Sequence, residues 1–349
     1  MSRSRVYLDW NATAPLRPEA RAAMMAALDV VGNPSSVHAE GRAARALVER
    51  ARAQVAAALG AQGADIVFTS GATEAAALAC AGRGLRCAAI EHEAVSAWCA
   101  EVLAVDAAGR VLVDDPARCA LQLANSETGV VQVLPPELAV GDLTQGVGKL
   151  PFAFDWSGID MGIVSAHKLG GPKGIGALVI RRGLDVAAQL RGGGQEMGRR
   201  AGTENLVGIA GFGAAAEAAA RDLADGVWEP VARLRNILES SLSAPDSGTI
   251  SVGHGAERLP NTLCLVTPGW KGETQVMQMD LAGFAVSAGS ACSSGKVRAS
   301  RVLRAMGLDE TAAACAMRVS LGPETAEDEV MRFAESWAAA RARAQARMR

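Results

Sequence analysis

The chain has 349 residues, half of them hydrophobic, with a formal net charge of -2 at pH 7 and seven cysteines. The balanced charge offers no basic stripe for nucleic acid, and no apolar run approaches the roughly 18 residues that a membrane span needs. The cysteines form no Cys-x-x-Cys pair and the start "MSRSRVYLDW" holds no apolar signal segment, so we expect reduced thiols, no zinc site and a cytoplasmic protein.

The first two thirds of the chain alternate between helical and strand-like patterns. A long helix is predicted over 39–60, because apolar residues recur at intervals of four and Gly60 closes the segment. An apolar strand over 66–68 then leads through Ser-Gly into another helix. Strands keep alternating with helices up to residue 181, which predicts an α/β domain with a mostly parallel sheet. Helical patterns at 203–223 and 228–243 are expected to pack against that sheet.

The last hundred residues have a different character, which predicts a second and smaller α+β domain. Its predicted strands and helices are 261–267, 272–282, 283–289, 315–322 and 325–346. We therefore predict a large domain over residues 14–246. The small domain is predicted over residues 247–349, joined by the N-terminal segment 1–13.

Lys168 lies in "VSAHKLGGPKGIGAL", directly after an apolar strand and before four glycines within eight residues. A surface lysine does not need such surroundings. A lysine that forms an imine with pyridoxal phosphate needs a fixed position, a cradle for the phosphate and an acid for the pyridine nitrogen. The pattern therefore makes Lys168 a candidate for holding this cofactor.

Candidates for the other cofactor contacts lie at the ends of predicted strands. The segment "TSGATE" (69–74) joins a strand to a helix, and backbone N–H groups at such a junction bind anions. Thr73 and Ser165 could add hydroxyl groups, Asp142 could pair with the pyridine nitrogen, and Gln145 could bond the phenolic oxygen. Each piece alone is also typical of an ordinary turn or cap.

Three further residues are candidates for catalysis or substrate binding. Cys292 lies in the polar segment "VSAGSACSSGK", where a thiol would be accessible, although a loop cysteine can occur by chance. His92, at a strand end, could stack on a cofactor ring or move protons, or could be structural. Arg318, in the apolar strand "CAMRVSLG", suits the capture of a substrate carboxylate, with an internal salt bridge as the alternative.

These blocks resemble a known family. The chain is similar to the pyridoxal-phosphate-dependent cysteine desulfurases of the NifS/IscS group, in the class V aminotransferase superfamily. The resemblance rests on segments in family order that span most of the chain, among them "VYLDWNATAP", "GNPSSVHAEGR", "EHEAV", "DLTQGVGK", "GGGQEMGRRAGTEN", "VSAGSACSS" and "MRVSLG". It implies fold type I of the pyridoxal-phosphate-dependent transferases, with a large α/β domain and a smaller α+β domain.

The resemblance also implies a reaction and a role for each residue. L-cysteine would be converted to L-alanine, and its sulfur would pass to Cys292 as a persulfide, for iron–sulfur cluster assembly or thiolation. Lys168 would hold the cofactor, His92 would stack on its ring, and Arg318 and Asn125 would bind the substrate. The implied cofactor contacts are Ala72, Thr73, Asp142, Gln145, Ser165, His167 and Lys168, with Thr203 reaching the phosphate of a second subunit. A homodimer and a sulfur-acceptor protein, either an iron–sulfur scaffold or a sulfur carrier, are implied as partners.

The chain departs from the family pattern at three places, one of which is Ala75-Ala76 after "GATE", where the family commonly has polar residues. Where the family has Asn-Asn-Glu, this sequence has Asn125-Ser126-Glu127, so either Ser126 or Asn125 takes the usual asparagine contact. The segment between Gly129 and Asp142 is short and holds Pro135-Pro136, which leaves no room for a crossover helix. We expect one sheet face to lose helical cover there, with a strip that is polar or is covered by another subunit or a partner.

Other functions on the same scaffold stay open at the level of sequence. A selenocysteine lyase or a transaminase is the second enzymatic reading, although a transaminase needs no mobile thiol. A paralogue that has lost turnover, or that requires a partner, is the third reading. Retention of Lys168, Asp142, His92, Arg318 and Cys292 together favours an active desulfurase.

Overall fold

The structure, a computed structural model, describes residues 5–243, 248–289 and 299–348. Within these ranges no helix combines the length and the apolar character that crossing a membrane requires. In chain order the helices and strands are β1 (Val6–Tyr7), α1 (Pro18–Leu28), α2 (Ala39–Ala58), β2 (Ala64–Thr69), α3 (Ala72–Cys80), β3 (Arg86–Ala88), α4 (Glu93–Ser96), β4 (Ala100–Leu103), β5 (Ala120–Gln122), β6 (Val140–Asp142), α5 (Phe154–Ser157), β7 (Met161–Ser165), β8 (Gly176–Arg181), α6 (Leu206–Ala224), α7 (Trp228–Leu242), β9 (Ile250–Ser251), β10 (Thr262–Val266), α8 (Gly272–Leu281), β11 (Phe284–Ala285), α9 (Arg301–Ala305), α10 (Glu310–Ala313), β12 (Ala316–Ser320) and α11 (Glu327–Met348).

The main sheet has five strands in the order β2-β8-β7-β6-β5. Strands β5, β6 and β7 are parallel, whereas β8 runs antiparallel to both β2 and β7. Only residues 166–175 separate β7 from β8, and a parallel neighbour would need a longer crossover connection. The expectation of a mostly parallel sheet is therefore corrected to a mixed sheet, in which the parallel strands are those that lead to the site.

The side chains of the sheet alternate between two buried faces. Phe68 of β2 and Val164 of β7 belong to a core that includes α2 and α6. Their neighbours Val67 and Ile163 face the opposite core, which includes α3. This alternation follows from the period of two in a strand, and it makes both faces apolar, as expected of a sheet between helices. The predicted α/β architecture is confirmed.

The connection between β5 and β6 contains no helix between residues 129 and 142, as the sequence predicts. Leu138 of this connection is buried in the core, and Leu134 packs against it, so the irregular segment itself covers part of the sheet. Val133 of this connection nevertheless exposes 89% of its surface. The strip is thus partly apolar, and its cover by another subunit or a partner stays a prediction.

A second core surrounds the three-stranded antiparallel sheet β12-β10-β9. Helix α7 contributes Trp228 and Leu238 to this core, which corrects the expectation that it packs against the main sheet. Strand β1 pairs in parallel with β11, and Val6 and Leu8 are buried in the same core. The N-terminal segment therefore lies with the C-terminal part of the chain. The exact division into domains at residue 246 stays a prediction.

Candidate active site

A cavity of about 590 Å³ lies where the parallel strands of the main sheet end. The carboxyl ends of β5, β6 and β7, the first turn of α3, and the segment 11–13 form its walls. Arg318 of β12 reaches it from the second core. Ligand sites in open α/β sheets form in this position, beyond the carboxyl ends of the strands.

Most of the residues predicted from the sequence line this one cavity. They are Ala72, Thr73, His92, Asp142, Gln145, Ser165, His167, Lys168 and Arg318. Thr203 is exposed on the loop before α6 and does not line the cavity, in keeping with its predicted role toward a second subunit, which stays untested. Cys292 lies outside the described residues, so its predicted role also stays a prediction.

The first turn of α3 forms one wall with the properties of an anion cradle. Gly71 precedes the helix, and no side chain caps the first N–H groups of the helix. The residues of this turn that line the cavity are Ser70, Gly71, Ala72 and Thr73. Gly176 of β8 packs against this turn so closely that a Cβ there would lie 2.8 Å from the Gly71 carbonyl carbon. The local sequence thus fixes the turn by close backbone packing.

Lys168 ends a 3₁₀ turn, Ala166–Lys168, that follows β7. Its Nζ donates to the carbonyl oxygens of Asn11 at 2.6 Å and Ala12 at 2.9 Å. Gly171 lies so close to Ala166 that a Cβ would meet its Cβ at 2.8 Å, and Gly170 has a φ of +88°. The glycines after Lys168 therefore permit the tight turn that holds the lysine at the cavity.

Asp142 and Gln145 follow each other at the end of β6. The Asp142 Oδ1 accepts from the Thr144 backbone N at 2.9 Å, which fixes the carboxylate beside the cavity. Gln145 is buried, and its Nε2 donates to the Asn11 carbonyl oxygen at 3.0 Å. Asn11 therefore accepts from both Gln145 and Lys168, which joins two walls of the site.

His92 and Glu91 stand at the end of the segment after β3. His92 caps α4, and its Nδ1 accepts from the Ala94 backbone N at 3.1 Å, which places the proton of a neutral ring on Nε2. Glu91 is 2% exposed, and burial together with the nearby Asp142 raises the pKa of its carboxyl well above the ordinary value. Its Oε2 is buried and has no hydrogen-bond partner among the described residues.

His167 is a neutral ring at physiological pH. Burial, then the charges of Lys168 and Lys173, lower its pKa to about 4. Its Nδ1 lies 3.2 Å from the Thr13 Oγ1. This imidazole can therefore bind a phosphate through a hydrogen bond but does not add a positive charge.

Arg318 forms the internal salt bridge that its sequence context left open, and its role toward a substrate carboxylate stays a prediction. Its Nη2 donates to the Asp9 Oδ1 at 2.7 Å, and its Nη1 donates to the Ser126 carbonyl oxygen at 3.1 Å. The internal salt bridge is therefore present. The Nε is buried without a hydrogen-bond partner among the described residues, although Arg318 lines the cavity. A donor thus remains for an anionic ligand.

Asn125 lies in the turn that precedes Gly129, and its substrate-binding role stays a prediction. Its Oδ1 accepts from the backbone N of Glu127 and of Thr128, both at 2.9 Å, and its Nδ2 donates to the Ile90 carbonyl oxygen at 3.1 Å. The amide is fully used within the turn and does not line the cavity. Ser126 lines it instead, so the family contact falls to Ser126 or is lost.

The residues of the cavity fit pyridoxal phosphate. A dianionic phosphate matches the first turn of α3, an aldehyde matches the amine of Lys168, and a pyridine nitrogen matches the carboxylate of Asp142. Among the buried polar atoms without partners in the described chain are Thr144 Oγ1, Glu91 Oε2 and Arg318 Nε, and their residues all line the cavity. Buried polar atoms are normally hydrogen-bonded, so these three atoms favour a polar ligand in the cavity.

Sequence reasoning missed several residues that hold the site together. Three segments supply these residues, which meet only in the folded chain: Asp9 and Asn11 come from the first, Glu91 from the second and Lys149 from the third. Lys149 closes the quoted block "DLTQGVGK", which was a signal, but its burial is visible only in the structure.

Comparisons with known proteins agree with this geometry. The family model described as aminotransferase class-V matches residues 6–100 and 100–333. A cysteine desulfurase of Cereibacter sphaeroides is 40% identical over 370 residues, covering 95% of this chain and 94% of its own length. A cysteine desulfurase of Klebsiella pneumoniae is 41% identical, covering 93% of this chain and 90% of its own length. The X-ray structure of a NifS-like protein from Rickettsia africae superposes with a TM-score of 0.86 at 30% identity, covering 95% of this chain and 98% of the other.

Proposed function

Because the chain belongs to the cysteine desulfurases of the aminotransferase class-V family, we propose that the cavity around Lys168 binds pyridoxal phosphate and L-cysteine and that Cys292 receives the sulfur. The family is dependent on pyridoxal phosphate. The observation that carries the assignment is the position of Lys168, whose Nζ lies at the cavity with the α3 cradle and Asp142. When bound, the cofactor serves as an electron sink for bonds at the substrate α-carbon.

The cradle and the strand ends would hold the cofactor. The first N–H groups of α3, with Thr73, Ser165 and neutral His167, suit the phosphate. Asp142 suits the pyridine nitrogen, and the Gln145 Nε2 suits the phenolic oxygen. Thr203 of a second subunit would complete the phosphate site.

Lys168 and His92 are the groups placed to move protons. Once its amine is released from the carbonyl oxygens of Asn11 and Ala12, Lys168 can take a proton from the substrate α-carbon and return it nearby. His92 presents Nε2 because the backbone of α4 occupies its Nδ1. Glu91, whose carboxyl pKa is raised by burial, stands at the same wall and is a further group for proton transfer in this proposal.

Arg318 would hold the substrate carboxylate beside Ser126 while Asp9 keeps the guanidinium in place. The Cys292 thiolate then attacks the substrate sulfur, so that an S–S bond forms and the bond from sulfur to Cβ breaks. The electron pair of the broken bond stays on carbon, which takes up a proton and becomes the methyl group of alanine. The sulfur leaves as a Cys292 persulfide, with no external oxidant or reductant.

The partners follow from the same proposal. A persulfide needs a thiol-bearing acceptor, and we place an iron–sulfur scaffold or a sulfur carrier protein in that role. Thr203, exposed and outside its own cavity, favours a homodimer. The free cysteines of the described residues favour a cytoplasmic location, where thiols stay reduced.

The test combines purified protein, pyridoxal phosphate and L-cysteine, followed by an alanine assay and mass spectrometry of the peptides. We expect one alanine for each sulfur transferred and a mass increase of one sulfur on the peptide that contains Cys292. Cys292→Ser should retain the cofactor and lose the persulfide, whereas the control Cys99→Ser should behave as wild type. Bound cofactor with neither alanine nor persulfide would overturn the proposal.

A further inference from the structure

Lys149 is a buried lysine beside the cavity that no step above uses. Only 5% of its surface is exposed. No carboxylate lies within salt-bridge distance of it in the ranges 5–243, 248–289 and 299–348. A buried charge without a counter-ion destabilises a fold. An apolar side chain of the same length would fill this space without the desolvation cost of a buried amine, so we expect a contact that only an amine provides.

The contacts of Lys149 supply the explanation. Its Nζ donates to the Gln145 Oε1 at 3.0 Å and to the Asn11 Oδ1 at 3.4 Å. Asn11 is itself held by the second core, since its Nδ2 donates to the Thr262 Oγ1 at 2.8 Å. Lys149 therefore ties Gln145 to a fixed part of the fold.

The donor on one side of Gln145 decides which way its amide faces. Lysine donates through all its amine hydrogens, so Oε1 turns toward Lys149 and Nε2 turns toward the Asn11 carbonyl oxygen, 3.0 Å away. The same carbonyl accepts from the Lys168 Nζ at 2.6 Å. If the amide turned over, Oε1 would face that carbonyl, and two acceptors would be left opposed.

Lys149 can provide this bond over a wide pH range. Burial, followed by the charges of Lys168 and Arg318, lowers its pKa to about 7. The groups that face it are otherwise the amides of Gln145 and Asn11. Both the charged and the neutral amine carry N–H donors, so the contact survives the titration.

We propose that Lys149 is a positioning residue that orients the Gln145 amide, so that Gln145 presents a donor and not an acceptor to the phenolic oxygen of the bound cofactor. This inference rests on the proposed function. It extends that function to a residue that touches neither cofactor nor substrate.

The proposal has a spectroscopic consequence. A donor at the phenolic oxygen stabilises its negative charge, which weakens the hold on the proton shared between that oxygen and the Lys168 nitrogen. If Lys149 no longer orients Gln145, this proton is held more tightly. The visible absorption of the bound cofactor then titrates at a higher pH.

The experiment is a pH titration of the visible absorption of the holoenzyme. Lys149→Met removes the donor and keeps the length of the side chain, and we expect its apparent pKa to rise by about one unit, the scale of one hydrogen bond. The exposed Lys271→Met is the matched control and should titrate as wild type. Lys149→Gln keeps an N–H donor and should lie closer to wild type, and it serves as the test variant if Lys149→Met fails to fold.

The double variant Lys149→Met with Gln145→Leu identifies the route of the effect. It should titrate as Gln145→Leu alone, because no amide is left to orient. An additional shift in the double variant would mean that Lys149 acts through its charge, and an unchanged titration in Lys149→Met would show no effect at all. Either result overturns the inference while the wild type retains cofactor and activity. A wild type that binds no cofactor would instead overturn the proposed function and the inference with it.

Discussion

At the scale of single residues, the site is built from polar groups buried at a cost in stability. Lys149 shows this directly, because its pKa falls from 10.5 to about 7 on folding. Unfolding therefore takes up a proton between these two pH values, and the unfolded state gains on the folded state as the pH falls through that window. Each unit of the shift corresponds to about 1.4 kcal/mol.

We therefore expect Lys149→Met to gain stability relative to wild type as the pH falls from 10.5 toward 7, and the gap to stay constant below 7. In the variant the Gln145 Oε1 has lost its donor, and this lowers the free energy of unfolding of the variant by an amount that does not depend on pH. Urea denaturation of both proteins at pH 6, 7, 8, 9 and 10 measures the gap. Parallel curves across this range would contradict the lowered pKa.

Gly176 provides a second prediction at this scale. A Cβ at this position would lie 2.6 Å from the Val164 carbonyl oxygen and 2.8 Å from the Gly71 carbonyl carbon, and both are backbone atoms that cannot step aside. We expect Gly176→Ala to displace the turn before α3 and to weaken pyridoxal phosphate binding at least about tenfold. Titration of the apoprotein with the cofactor measures this. Gly194→Ala, with open space around its Cβ, should bind the cofactor as wild type does. Equal binding by both variants would contradict the claim that the close packing of Gly176 against the turn before α3 shapes the cofactor site.

At the scale of elements, sequence patterns identified the helices and strands more reliably than they identified the core or the strand against which each one packs. The period of four over 39–60 correctly predicted α2, and the short apolar runs predicted the strands of the main sheet. The pattern of α7 showed an apolar face but not which core would bury it, since both cores are apolar. β8 runs antiparallel to β7 because the connection between them is short. The length of this connection predicts the direction only once β8 is known to pair with β7.

Glu239 fastens α7 to the second core. Its carboxylate accepts from the Ser251 Oγ, the His254 Nδ1 and the Arg258 Nη2, the last at 2.7 Å. Burial alone would raise the pKa of Glu239, but these donors, with Arg258 first, lower it to about 2. The stabilisation is thus present above pH 4.5 and is lost as the pH falls from 4.5 toward 2.

We expect Glu239→Gln to lower the free energy of unfolding by about 3 kcal/mol at pH 7, because it leaves the Arg258 guanidinium buried without its counter-ion. The difference from wild type should shrink below pH 4. Denaturation at pH 7 and at pH 3.5 measures both values. Glu229→Gln, exposed on the same helix, should change little at either pH. A deficit equally large at both pH values would contradict this account.

At the scale of the whole molecule, the residues that line the cavity could be picked out from the sequence because each follows a strand end or a helix start with a recognisable signature. Lys168, Asp142 and the turn before α3 are of this kind. Ser126 and not Asn125 lines the cavity, because two adjacent polar residues give no sign in the sequence of which one faces the turn and which the cavity. Glu91 and Lys149 depend on contacts between distant segments, and no local pattern records such contacts.

The predicted dimer is testable through Thr203. This residue is exposed and lies outside its own cavity. We expect sedimentation to give twice the monomer mass, and Thr203→Val to weaken cofactor binding without changing that mass. Thr311→Val, an exposed threonine on α10, is the control and should bind as wild type. A monomer that binds the cofactor fully would contradict the shared site.

The pairing of the N-terminal segment with the far end of the chain has a consequence for biosynthesis. Val6 pairs with Phe284, and the Trp10 backbone N donates to the Ser320 carbonyl oxygen. The main sheet ends at residue 181, so its strands can assemble on the ribosome while these partners are still untranslated. Asn11 and Ala12, the acceptors of Lys168, are anchored only after β10, β11 and β12 emerge. A nascent chain therefore carries Lys168 while residues 169–320 are still being added, and the pocket is complete only once β12 has been translated.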